Sequence, residues 1–456
     1  MGLRSTCVLL AAACASYLLV PARAALQIVP GASLTASNGA HMQAHGGGVI
    51  EVNGTYYLIG EDKTDGSAFQ NVNCYSSRDL VQWHYEGALL SRTGSGDLGP
   101  NRVIERPKVV YNDKTQKYVL WMHVDSSNYG EAKTGVATGD TVCGKYTYHN
   151  SFQPLGFQSR DMGLFKDDDG KAYLLSEDRA NGLRIMRLSD DYLSVAASTY
   201  LWKDHIEAPA LIKIKGRYYM FGSHLSGWDP NDNVVSTSTS LTSGWSSWAT
   251  FADKNSKTYS SQTHYVLPYG SSGNVMYMGD RWVSKNLRAS TYVWLPLTIS
   301  GTSVTMKNHA AWLPNVESIQ PWASHPDEKS YAGNQGAYGG GAKAVDCKPC
   351  SGGKAAGYVG GPSHGTITLS GLSAPSSGTT TLIVRYGVSE AKGRQADVRI
   401  NGGSPIRMDF LPGAQSGNIG ESVLTTALKS GSNTVEFAGV GDAWGPDIDI
   451  VEVPSA

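Results

Sequence analysis

The amino-acid sequence predicts an all-β protein, a five-bladed β-propeller followed by a β-sandwich of jelly-roll type. Three observations lead there. The 456 residues are rich in Gly, Ser, Thr, Tyr and Trp and hold no long apolar stretch of helical period, which favours strands over helices. One pattern recurs five times at intervals of roughly 50 residues, the length of a four-stranded sheet with its loops and the period of propeller blades. Beyond a Gly-rich stretch near residues 321–340 that pattern stops, and short strands separated by turn residues take over.

Taken in order, the chain opens with a secretory signal over residues 1–24: one early Arg, an apolar run from Cys7 to Val20, then the small-x-small sequence Ala22-Arg23-Ala24. The run is too short to span a bilayer, so a soluble, secreted, extracellular protein is expected. Asn53-Gly54-Thr55 is an N-glycosylation sequon in a turn between two predicted strands. Two of the six cysteines leave with the signal. The remaining four pair in an oxidising compartment, Cys74 with Cys143 across the first two blade regions and Cys347 with Cys350 in a small loop. With 38 basic and 39 acidic residues and no charge blocks, nothing suggests nucleic acid or an anionic membrane as partner, and a monomer is expected.

In each of the five repeats a polar residue heads a pair of apolar ones, followed by a turn and a Tyr-bearing strand. His45 precedes Val49-Ile50, Glu105 precedes Val109-Val110, Asp161 precedes Leu164-Phe165, Glu207 precedes Leu211-Ile212, and Gln262 precedes Val266-Leu267. The innermost strands of a propeller run beside its central channel, so these heads should converge on one polar pocket. Any one of them alone reads as a turn residue that needs only solvent. Three carboxylates at the same repeat position favour a site.

The propeller is expected over residues 25–325 and the sandwich over 326–456. In the latter, Thr366–Leu369, Thr380–Tyr386, Ala396–Ile400 and Asn433–Phe437 read as strands, and Asn401-Gly402-Gly403 as a hairpin turn. A chain ending near Trp322 is expected to fold by itself.

The strands carrying Ser159-Arg160-Asp161 and Glu207-Ala208-Pro209, within the five-fold pattern, resemble glycoside hydrolase family 43. Gln43-Ala44-His45-Gly46-Gly47-Gly48, Glu105-Arg106-Pro107-Lys108 and Ser261-Gln262-Thr263-His264 resemble its exo-β-1,3-galactanase subfamily, the galactan 1,3-β-galactosidases. The C-terminal region, through Cys347 to Lys354, Gly357-Tyr358-Val359-Gly360 and Pro446-Asp447-Ile448-Asp449, is similar to carbohydrate-binding modules of family 35. The resemblance implies a secreted, inverting exo-β-1,3-galactanase that takes the β-1,3-galactan backbone of arabinogalactan from its non-reducing end and releases galactose or short galacto-oligosaccharides. An α-L-arabinofuranosidase or β-xylosidase of the same family, and a non-catalytic glycan-binding propeller, are the alternatives.

Inverting hydrolysis needs a proton donor for the leaving oxygen and, opposite it, a group that deprotonates water. Glu207 is the expected acid, because the apolar strand behind it would desolvate it and raise its pKa. The resemblance makes Asp161 the carboxylate that positions Glu207 and keeps it protonated. The family generally has an Asp base where this chain has His45. In the galactanase subfamily a Gln at the position of Gln262 is held to act through its imidic acid tautomer; Glu105 and His45 are the rival bases. Glu61, Tyr129, Glu177 and Asn181 are the candidates for holding sugar hydroxyls. Trp228, Trp245 and Trp248 either shape a rim or fill the packing between strands. In the module, Tyr358, Arg394, Trp444 and Asp447 are the candidate sugar-binding face. No cofactor is expected: the modules usually open with a Glu-Ala-Glu motif that supplies calcium ligands, whereas this chain has Ala332-Gly333-Asn334, leaving Asp449 alone.

Overall fold

The computed structural model describes residues 25–316, 318–413 and 419–455; the expected signal peptide lies outside them. Five antiparallel four-stranded sheets follow one another along the chain. Their innermost strands are His45–Val52, Arg102–Asn112, Met162–Lys166, Ile206–Ile214 and Gln262–Tyr269. Each packs beside the next, and the fifth returns to the first, so the sheets close into the ring of a β-propeller.

Apolar seams between adjacent sheets hold the ring together. Ile59 and Val72 of the first sheet meet Leu120 and Met122 of the second, and Val119 and Trp121 meet Leu164 and Leu174 of the third. Leu175 and Ile185 meet Leu211 and Met220, and the largest cluster joins Phe221 of the fourth sheet and Val266 of the fifth to Leu58 of the first. These positions alternate along their strands with residues facing the other side, the period-2 pattern of a pleated strand.

The heads of the inner strands share a local device. The pairing register slips after His45, Glu105, Glu207 and Thr263, and the residue following three of the heads is left-handed: Gly46 at φ 56°, Arg106 at 53° and Ala208 at 56°. A β-bulge at that point bends the strand and turns its side chain toward the channel. Gly46 has a steric reason to lack a side chain, since a Cβ there would collide with Glu61 Oε1. At Arg106 and Ala208 the conformation is adopted without glycine, a strain of the kind that collects at functional sites.

The C-terminal region is a sandwich of a seven-stranded and a five-stranded sheet. Leu382, Val384 and Val451 from one and Ile367, Val398 and Phe437 from the other fill the space between them. All four predicted strands fall inside Thr366–Ala374, Gly378–Gly387, Arg394–Ile400 and Gly431–Gly439. Asn401 and Gly402, both with positive φ, turn the chain into the antiparallel partner Ile406–Phe410. Both expected disulfides are formed.

The chain's start adds a link that no local pattern announces. Ser33–Leu34 pairs in parallel with Ser422 and Val423 of the sandwich, and Ala25 O accepts from Thr381 N at 3.0 Å. On its other side the same segment bridges to the propeller, where Ile28 pairs with Trp312. Val29, Ala32 and Ala311 are buried together with Ile383 and Val423. A chain cut near Trp322 would therefore expose this seam, and thermal unfolding should show it at least 4 °C less stable than the intact protein.

Candidate active site

Four of the five strand heads do meet. Glu105, Asp161, Glu207 and Gln262 line one cavity of about 230 Å³ at the end of the channel, with Glu61, Tyr129, Glu177 and Trp228 around them. His45 does not join them, which corrects the expectation of five converging heads. Its ring is fully buried, its Nδ1 lies 2.9 Å from Asp280 Oδ1, and it stacks on Tyr292 at 4.7 Å. Asp280 also accepts from Gly46 N at 2.9 Å. The imidazole is thus a structural clamp on the bulge, and this burial away from the cavity removes it as a base.

Glu207 is 6% exposed. Burial first, then the charges of Asp161 and Glu177, push its pKa up to about 8 against the pull of Arg106 and Arg179, so it carries a proton at neutral pH. Its Oε1 accepts from Gln262 Nε2 at 2.9 Å and its Oε2 lies 3.6 Å from Arg179. Asp161 holds the backbone of the same bulge, accepting from Ala208 N at 3.0 Å while pairing with Arg106 Nε at 2.8 Å. Glu177, raised by burial and then by Asp161, accepts from Arg179 Nε at 2.6 Å.

Arg106 ties this wall together. Beyond Asp161 it donates to Thr263 O at 3.0 Å and to Gln262 Oε1 at 2.7 Å. Trp282 Nε1 also donates to Gln262 Oε1, at 3.0 Å. Both are donors only, which fixes the amide orientation: the oxygen faces them and the nitrogen faces Glu207.

Glu105 stands in the opposite electrostatic state. Burial raises its pKa, but Lys63 and His123 outweigh burial and hold the carboxyl well below the usual range. Its Oε1 lies 3.1 Å from Lys63 Nζ and accepts from Tyr129 OH at 2.9 Å; its Oε2 lies 3.4 Å from His123 Nδ1. Lys63 reaches Glu61 as well, at 2.7 Å. Burial, opposed by Lys63 and supported by the charge of Glu105, raises Glu61 to about 7.

Asn181 is the second correction. It is exposed, lies off the cavity lining and donates to Asp178 Oδ2 at 2.7 Å, fixing a strand turn. Trp228 is on the rim, edge-on to Trp282 at 4.9 Å. Trp245 and Trp248 instead pack around Trp202. Lys63, Arg106, His123, Arg160, Arg179 and Trp282 also face or support the cavity and escaped the sequence reading. Two of them were signalled: Arg106 lies inside the motif around Glu105, and Arg160 inside that around Asp161.

In the sandwich, Tyr358 and Trp444 form an exposed edge-to-face pair at 5.9 Å. Arg394 donates to Gly445 O at 2.8 Å and is among the charges acting on Asp447, so the four candidates share one surface. Asp449 is buried and accepts from Ser351 N at 2.8 Å. Among the described residues no group of three His, Cys, Asp or Glu is placed to hold a metal ion.

A ring of sheets around a cavity in which one carboxyl is driven toward its protonated form and another toward its ionised form has the two-carboxyl arrangement that glycoside hydrolysis uses. The profile of glycosyl hydrolases family 43 matches residues 44–278, and the chain belongs to that family. The exo-β-1,3-galactanase of Phanerochaete chrysosporium, solved with β-1,3-galactotriose, is 36% identical; the match covers 94% of this chain and 99% of that one at a TM-score of 0.66. The exo-β-1,3-galactanase of Clostridium thermocellum is 28% identical over 88% of this chain and all of that one, at a TM-score of 0.63. A xylan 1,3-β-xylosidase of a Vibrio species is 27% identical over 134 residues, 28% of this chain and 24% of that protein's length.

Proposed function

We propose that the protein is a secreted exo-β-1,3-galactanase that hydrolyses the β-1,3-galactan backbone of arabinogalactan with inversion. It would work from the non-reducing end as a monomer, with a five-bladed propeller over residues 25–325 as catalytic domain and residues 326–456 as a family 35 carbohydrate-binding module. The observation that carries the chemistry is the contrast between two carboxyls in one cavity: Glu207 is buried beside Asp161 and Glu177, which favours its protonated form, and Glu105 is ringed by Lys63, Tyr129 and His123, which favours its ionised form. The likeness to galactanases over nearly the whole chain supports the substrate. The two disulfides support export, and the exposed turn at Asn53 supports glycosylation there.

In this reading Glu207 gives its proton to the leaving oxygen, and Asp161 and Glu177 keep that proton in place by repulsion. Gln262 has both lone pairs of its oxygen taken by Arg106 and Trp282, so in amide form it offers no acceptor to a water. Glu105 keeps a lone pair free on Oε2, so in this reading it is the base and Gln262 orients Glu207. Glu105→Gln should then cost more turnover than Gln262→Ala. The reverse order would favour the imidic tautomer of Gln262.

Glucan, xylan and arabinan are the controls for substrate class. Galactose should be released from linear β-1,3-galactan and nothing from the others; xylose or arabinose as the main product would overturn the assignment. Exposed Tyr358 and Trp444 suit stacking on a sugar face. Trp444→Ala should weaken retention on insoluble galactan about tenfold while leaving turnover of galactobiose unchanged. Unchanged retention would remove the sandwich as the binding module.

A further inference from the structure

Beside Glu105 stands a buried imidazole–carboxylate pair. His123 and Asp125 lie two apart on the strand Lys117–Ser126, and His123 is the register partner of Glu105 on the neighbouring strand. His123 Nε2 is 3.0 Å from Asp125 Oδ2 and Nδ1 is 3.4 Å from Glu105 Oε2, off the line of an ideal hydrogen bond. Both ring nitrogens therefore face carboxylate oxygens. Neutral imidazole has one donor and one acceptor, so in that state one nitrogen would turn its lone pair on an anion; only the imidazolium satisfies both.

We propose that His123 is a buried imidazolium, held by Asp125, that acts as a positioning residue fixing Glu105 in its ionised form toward the cavity. The surroundings agree. Asp125 is itself pinned as an anion by the backbone N–H groups of Ser126, Glu131 and Ala132 and lies 3.5 Å from Arg160. On its far side Glu105 meets Lys63 and the Tyr129 hydroxyl, and Glu61 lies beyond Lys63. The other strand beside His123 contributes only the uncharged Thr134. Charges thus alternate along a row from Lys63 through Glu105, His123 and Asp125 to Arg160, with Glu105 between two cations. Burial pulls the imidazole down, yet the two carboxylates outweigh it and raise His123 to about 9, while Asp125, despite burial, is drawn to about 2. In this state Glu105 can only accept, from a sugar hydroxyl or from the attacking water.

The inference rests on the galactanase reading for its kinetic arm alone. In the pH profile of kcat/KM on β-1,3-galactotriose, His123→Gln removes the cation but keeps a donor of similar reach. The acidic limb should move up by about one pH unit, with a loss that approaches about tenfold only at pH values below both limbs. Asp125→Asn should move it the same way by less. If either variant melts lower and turns over more slowly while the limb stays in place, the pair is merely structural and the proposal falls. The second arm needs no activity and no variant. In 15N NMR of the histidine-labelled wild-type protein, one imidazole should stay protonated above pH 8. A spectrum in which all eleven histidines are neutral at pH 8 overturns the proposal even if galactan is cleaved.

Discussion

Glu207→Gln should leave the fold intact and lower turnover on β-1,3-galactan by about 10²- to 10⁴-fold, the range of a lost general acid. The substituted amide can still accept from Gln262, so the wall keeps its shape and only the transferable proton is gone. A galactoside whose leaving group needs no protonation should recover most of the rate. Equal losses on both substrates would mean that Glu207 binds rather than donates. The same variant carries a stability signature. The folded pKa of Glu207 lies near 8, above the ordinary 4.5, so between those values the folded state binds more protons than the unfolded one and stability falls as pH rises. Glutamine escapes that dependence. The melting temperature of Glu207→Gln relative to wild type should therefore climb from pH 5 to pH 8, and a flat difference would contradict a buried, protonated acid.

Arg106→Met should be the most damaging substitution in the cavity that leaves every carboxylate in place. It keeps the volume but strips Asp161 of its cation and Gln262 of one donor. Removing one partner of a buried pair strands the other charge, at a cost of about 3 to 5 kcal/mol. Urea unfolding should show that loss, and activity should fall with it because Asp161 no longer anchors the Ala208 amide beside the acid. A variant as stable as wild type would mean that Asp161 is solvated well enough to stand alone.

What was legible in the sequence is what the fold repeats. The same head position recurs on each innermost strand, so Glu105, Asp161, Glu207 and Gln262 could be grouped before any coordinate. His45 occupies the equivalent place, but Asp280 on the adjoining strand captures it, and a strand-to-strand partner leaves no trace in spacing. Lys63 and His123 were hidden for a related reason: Lys63 lies just past the end of the strand Thr55–Glu61 and His123 on the strand paired with that of Glu105, so both reach Glu105 from outside the head pattern. Asn181 lay close to Glu177 in sequence, yet the turn between them points it at Asp178 and solvent. The seam joining the two sheet systems was the least visible feature, since Ser33 and Ser422 touch across 389 residues of chain. No local period encodes such a contact.

Inversion by a protonated Glu207 against an ionised partner is the central claim, and proton NMR during the first turnovers of β-1,3-galactotriose tests it most directly. α-Galactose should appear first and convert to the β anomer only by mutarotation. Initial release of β-galactose, or no galactose at all, would contradict it.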